Sequence, residues 1–201
     1  MSETKITLCG LKRIQDIDAV NLLRPDLVGF VFAPKSKRAV TRQTAAELKE
    51  RLLPGIPVAG VFVNEELDVV AGLLQEGIID IAQLHGNESP EYIRELREKT
   101  GKPVIRAIQV RQRSDLREAE ESPADYILLD AGMGDGKLLD RELLKGFGRP
   151  YFLAGGLDCE NVREAIRELD PYGVDASSGI ETDGVKDPEK MQAFIDAVRK
   201  G

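Results

Sequence analysis

Hydrophobic and polar positions alternate along this chain in two kinds of segment. Short, nearly unbroken apolar runs are followed by longer charged stretches in which apolar residues recur at helical spacing. The runs are "KITLC" (5–9), "LVGFVF" (27–32), "PVAGVFV" (57–63), "IDIAQL" (79–84), "PVIRAI" (103–108), "DYILLD" (125–130), "PYFLAG" (150–155) and "GVDAS" (173–177). Unbroken runs of this kind mark parallel strands covered by helices. The intervening stretches carry helix-start signals. Thr41 precedes "RQTAAELKERLL", and Asn64 precedes "EELDVVAGLLQEG". Ser89 and Pro90 open a segment that stops near Gly101, Asp158 precedes "CENVREAIREL", and Asp187 with Pro188 opens the last one. Signals are weaker after strands 1 and 5, and after strand 6 only "DRELLKGF" remains for a short helix.

Eight βα units in series build either an open doubly wound sheet or a closed barrel. No G-x-G-x-x-G follows strand 1, which removes the main argument for a dinucleotide-binding sheet. A repeat of ~25 residues suits a short (βα)8 barrel. The expectation is an α/β chain with one domain over residues 1–201, a TIM barrel of eight parallel strands.

Charge narrows the partners. With 28 basic and 35 acidic residues the net charge is −7, so the overall field does not attract nucleic acid or an anionic membrane. An anion must therefore be held locally, by main-chain N–H groups or a few placed cations. Cys9 and Cys159 lie far apart and no export signal precedes them, which points to free thiols in the cytoplasm. A single histidine, His85, excludes a histidine-rich metal cage.

Active groups of a barrel lie at the C-terminal strand ends. Alternation puts Ile6 and Leu8 toward the helices and Thr7 and Cys9 toward the interior. Likewise Ile127 and Leu129 share one face of strand 6, and Tyr126, Leu128 and Asp130 the other. A thiol and a carboxyl at the rim of one pocket can serve as base and acid. Each also has a plainer reading: Cys9 as a small buried hydrophobe, Asp130 as a turn cap, His85 as a partner of a loop carbonyl, and Arg38 with Lys35 and Lys37 as a solvated loop. Gly155 and Gly156 after strand 7, and Ser177, Ser178 and Gly179 after strand 8, form two small-residue loops where main-chain N–H groups can approach a phosphate. The alternative is that these glycines only make tight turns.

The ordered set of motifs is similar to the phosphoribosylanthranilate isomerases of tryptophan biosynthesis. It comprises "CGL", "GFVFAPKSKR", "GVFVNE", "QLHGNESPEY", "LLDA", "GDGKLLD", "LAGGLDCENV" and "PYGVDASSGIE…GVKDPEKMQAFI". The resemblance implies that Cys9 is the general base and Asp130 the general acid. It implies that Arg38 meets the anthranilate carboxylate and His85 sits on the substrate side. Gly155, Gly156, Ser177, Ser178 and Gly179 are implied to grip the phosphate. No metal or organic cofactor is implied, and the partner is the small-molecule substrate phosphoribosylanthranilate, taken by a monomer or homodimer. The chain departs from the family pattern at Ala33 and at Leu138, Leu139 and Arg141.

An Amadori rearrangement needs one acid and one base. For Asp130 to donate, the pocket is expected to raise its pKa, by burial or through the bound substrate. For Cys9 to accept, Arg38, Lys35 or a loop dipole is expected to lower its pKa. Two rivals share the fold: the analogous aminoaldose isomerase of histidine biosynthesis, which has an aspartate in place of Cys9, and a non-catalytic barrel that binds a sugar phosphate.

Overall fold

The computed structural model describes residues 3–132 and 142–200. Eight parallel strands close into a barrel in chain order: β1 (Lys5–Cys9), β2 (Leu27–Val31), β3 (Val58–Phe62), β4 (Ile81–Leu84), β5 (Val104–Gln109), β6 (Tyr126–Asp130), β7 (Tyr151–Ala154) and β8 (Gly173–Ala176). β8 closes on β1 with Thr7 opposite Asp175 and Leu8 opposite Ala176. Every strand expected from the apolar runs is present, with ends within two residues of those expected.

The described helices are α1 (Ile14–Leu23), α2 (Arg42–Arg51), α3 (Leu67–Gln75), α4 (Pro90–Thr100), α5 (Asp115–Glu121), α6 (Val162–Leu169) and α7 (Pro188–Arg199). None is long and apolar enough to cross a membrane. Three begin where the sequence signals them. Thr41 accepts from the Thr44 N–H, Ser89 from the Tyr92 N–H, and Asp187 from the Glu189 N–H, each meeting an otherwise unpaired donor of a first turn.

Two helices start later than expected. Asn64 has a φ of 53° and is no cap: its Oδ1 accepts from the Asn87 N–H and its own N–H donates to Glu88, so it ties the loop after β3 to the loop after β4. α3 begins three residues on. The Asp158 carboxylate is spent on the Glu160 and Asn161 N–H groups, building a separate turn, so regular α6 begins at Val162. Of the expected "DRELLKGF" helix, residues 142–147 run as turns and loop, and the rest lies outside the described residues, as do Leu138, Leu139 and Arg141.

The predicted alternation holds. Ile6, Leu8, Ile127 and Leu129 join the large layer between barrel and helices, with Ile17, Val20, Phe194 and Leu96 from the helix side. Inside the barrel, Leu27, Ala59, Ile105, Ala107, Leu128, Phe152 and Ala154 form a separate plug, and Cys9, Val31 and Val61 a smaller cluster. Each fully buried Leu or Phe contributes about 2 kcal/mol of transfer free energy, so both layers hold the strand ends rigidly. Tyr126 differs from its inward neighbours. At the N-terminal end of β6 it is 37% exposed and packs against Phe152 and Tyr172 at the bottom of the barrel.

Candidate active site

Cys9 and Asp130 end β1 and β6, and their inward alternation carries both into one cavity of about 350 Å³ at the C-terminal mouth. Arg38, His85, Gly155, Gly156, Ser177 and Ser178 line the same cavity. This volume falls within the range of small-molecule sites, about 300–1,000 Å³. Gly179 lies just behind, and its reason is steric: a Cβ there would sit 2.0 Å from the Leu157 carbonyl oxygen, so only glycine lets the loops after β7 and β8 meet. Gly155, at φ +100°, has the same logic toward Asp130, whose Oδ1 would lie 2.7 Å from an added Cβ. Among the described residues, neither the Gly155 nor the Gly156 N–H has a backbone acceptor. Two donors are thus left for an anion.

The loop after β2 is divided. Lys35 and Lys37 are exposed, as the plainer reading had it, while Arg38 turns inward. Its Nε and Nη2 donate to the two carboxylate oxygens of Glu181 at 2.6 and 2.7 Å, a bidentate fork. Lys186, 4% exposed, donates to Glu181 at 2.6 Å and to the Ser177 carbonyl at 2.8 Å. Burial pushes the Glu181 carboxyl up, but Arg38 and Lys186 more than offset it and bring it down to about 2. Two of Arg38's three nitrogens are committed to this network, which leaves Nη1 toward a ligand. Ser177 is committed too: its hydroxyl donates to the Cys9 carbonyl at 3.2 Å, so it braces β1.

His85 lines the cavity and also reaches Asp130. Its Nε2 lies 3.4 Å from Asp130 Oδ2, and the Gly132 N–H donates to Oδ1 at 2.9 Å. Burial raises the Asp130 carboxyl, but the hydrogen bond and charge of His85, with the Gly132 N–H, hold it below the ordinary range. The expectation that the pocket raises Asp130 is therefore corrected. His85→Leu removes the hydrogen bond and the charge and leaves the burial. Its Asp130 should take up a proton at a higher pH than the parent's, as read by NMR of carbon-labelled aspartate; an unmoved or lower value would remove His85 from this role.

Cys9 also departs from expectation. Burial pushes its thiol far up and the charge of Asp175 adds to this, against the opposing pull of Lys186, Arg38 and the Gly10 N–H. Arg38 acts in the expected direction, Lys35 has no part, and Lys186 takes the place given to it. The signal for Lys186 was present in "GVKD", but a lysine before an Asp-Pro helix start reads as solvated.

The loop carrying His85 is clamped from below. Arg106 Nη1 donates to the Gly86 carbonyl and to Glu88 Oε2, both at 2.9 Å, and Glu88 accepts from the Gly86 and Asn64 N–H groups. Both partners are almost wholly buried, with side chains 7% and 2% exposed. Arg106→Ala would strand the Glu88 charge, and a stability loss of about 3 kcal/mol is expected by urea unfolding. A loss under about 1 kcal/mol would mean that the pair is not a clamp.

The family model described as N-(5'phosphoribosyl)anthranilate (PRA) isomerase matches residues 6–197. The chain belongs to this isomerase family. It is 42% identical over 200 residues to the N-(5'-phosphoribosyl)anthranilate isomerase of Endomicrobium trichonymphae, covering 97% of this chain and 98% of that one. The crystal structure of phosphoribosyl anthranilate isomerase from Thermotoga maritima superposes with a TM-score of 0.88 at 34% identity, covering 98% and 100% of the two chains. A phosphoribosyl anthranilate isomerase solved with reduced 1-(o-carboxyphenylamino)-1-deoxyribulose 5-phosphate superposes at 0.86 and 33% identity, covering 98% and 100%. Isomerase family membership and barrel fold thus coincide over nearly the whole chain.

Proposed function

We propose that the protein catalyses the Amadori rearrangement of N-(5'-phosphoribosyl)anthranilate to 1-(2-carboxyphenylamino)-1-deoxyribulose 5-phosphate, a step of L-tryptophan biosynthesis. The observation that carries this reading is the meeting of Cys9 and Asp130 in one cavity bordered by Gly155, Gly156 and Ser178. The relative that binds the reduced product supports the same ligand class.

The phosphate sits against the loops after β7 and β8, held by main-chain N–H groups. Arg38 presents Nη1 to the anthranilate carboxylate, oriented by its fork to Glu181. Asp130 delivers its proton to the furanose oxygen, the C1′–O bond breaks, and an iminium forms at C1′. Cys9, as thiolate, removes the proton from C2′, which the iminium makes acidic. The resulting enolamine takes a proton at C1′, gives up the proton of its C2′ hydroxyl, and becomes the ketone. The substrate nitrogen is the electron sink, so the acid and base suffice.

The dominant form at neutral pH carries the proton on Cys9 and the charge on Asp130. The reactive form has the same number of protons placed the other way round. Lys186 and Arg38 favour that form by stabilising the thiolate.

A fluorescence assay following loss of freshly generated phosphoribosylanthranilate tests the proposal. Turnover of this substrate, and none of the aminoimidazole aminoaldose of histidine biosynthesis, is expected. The reverse preference would replace the reading with the rival isomerase. Binding of both without turnover of either would leave a non-catalytic barrel.

A further inference from the structure

One buried carboxyl of the cavity has no part in the scheme above. Asp175 projects inward from the middle of β8 and is 7% exposed. No hydrogen bond to it occurs among the described residues, so its oxygens open onto the cavity without a protein partner.

Its position follows from register. Phe152 lies opposite Gly173 and Leu153 opposite Val174, which brings Ala154 beside Asp175. Asp130 lies opposite Ala154. The two aspartates therefore stand at one level of the barrel with only an alanine between them, about 10 Å apart at Cα and both turned inward. On the other side Asp175 pairs with Thr7, whose buried Oγ1 also lacks a partner among the described residues. Cys9 is one inward position above Thr7. Asp175 thus lies between the proposed acid and the proposed base: Ala154 separates it from Asp130, and Cys9 stands one inward position above its neighbour Thr7.

We propose that Asp175 is a positioning residue of this active site: a carboxyl on the cavity floor that holds its own proton beside the charged Asp130 and governs whether Cys9 can carry negative charge. This inference rests on the isomerase reading. Two carboxyls in one confined site do not both ionise freely, and here the buried Asp175 is the one that resists ionisation. The groups facing Asp175 are Asp130 from β6, Cys9 from β1, His85 after β4, and Lys186 and Arg38 from the loops. Burial and then the charge of Asp130 push Asp175 up to about 7, against the opposing pull of His85 and Lys186. The same charge, once formed, opposes the Cys9 thiolate. A neutral Asp175 removes that opposition.

The test compares the parent with Asp175→Asn, which keeps the shape and stays neutral. Alkylation of Cys9 by iodoacetamide is followed across pH. Below pH 7 the two proteins should react alike, because the parent carboxyl is protonated there. Above pH 7 the variant should react faster, about tenfold for each unit by which its thiol pKa falls. The kcat profile of the parent should carry an inflection near neutrality that the variant lacks. Identical alkylation profiles and an unchanged kcat profile would overturn the proposal. If the variant does not fold, NMR of carbon-labelled aspartate in the parent decides: an aspartate titrating near 7 is expected, and none above 5 would sink the idea. The alkylation and NMR arms need no substrate. A parent that fails to turn over phosphoribosylanthranilate would therefore discard the isomerase reading and still leave the effect of Asp175 on Cys9 measured.

Discussion

Asp130→Asn should lower kcat by about 10³-fold while leaving the fold in place, the size expected when a general acid is removed. The substitution is nearly isosteric. The amide oxygen can still accept from the Gly132 N–H, and Gly155 still leaves room for the side chain. What is lost is the proton delivered to the ring oxygen. Circular dichroism and the urea midpoint should match the parent, and the Michaelis constant should change far less than turnover, because the proton is needed in the transition state. A variant that turned over within tenfold of the parent would show that another group opens the furanose.

Cys9→Ala should cost about as much in turnover, about 10³-fold, for a different reason. The barrier includes moving a proton off a buried thiol, so the sulfur contributes only if its anion is reached during the reaction. Alanine fills most of the space beside Val31 and Val61, and the stability cost should stay near 1 kcal/mol. Retained turnover would return Cys9 to the plain reading of a small buried hydrophobe. The pair of variants also reports on proton placement. If Cys9 and Asp130 exchange one proton between them, the double variant should be little worse than either single one, since each alone disables the same reactive form.

The strands were legible because a parallel strand buried on both faces must be apolar throughout, and eight such runs stand between charged segments. Cys9 and Asp130 were legible as inward residues because side-chain alternation needs only the strand limits. The caps at Thr41, Ser89 and Asp187 were equally local: a side-chain oxygen meets an N–H two or three residues on. The Asn64 and Asp158 starts failed because those side chains were committed elsewhere. Asn64 crosses to the next loop, and Asp158 builds its own turn.

The sequence by itself determined the βα order, the inward faces of the strands, and the residue types brought to the mouth of the barrel, since these depend on short-range periodicity. Only the tertiary structure decided how those residues are charged. Arg38 meets Glu181 across 143 positions, His85 reaches Asp130 from a different strand, and Lys186 comes up beneath Ser177. Proton affinity depends on burial and on charges within a few ångströms, and both are fixed by which strands become neighbours when the barrel closes.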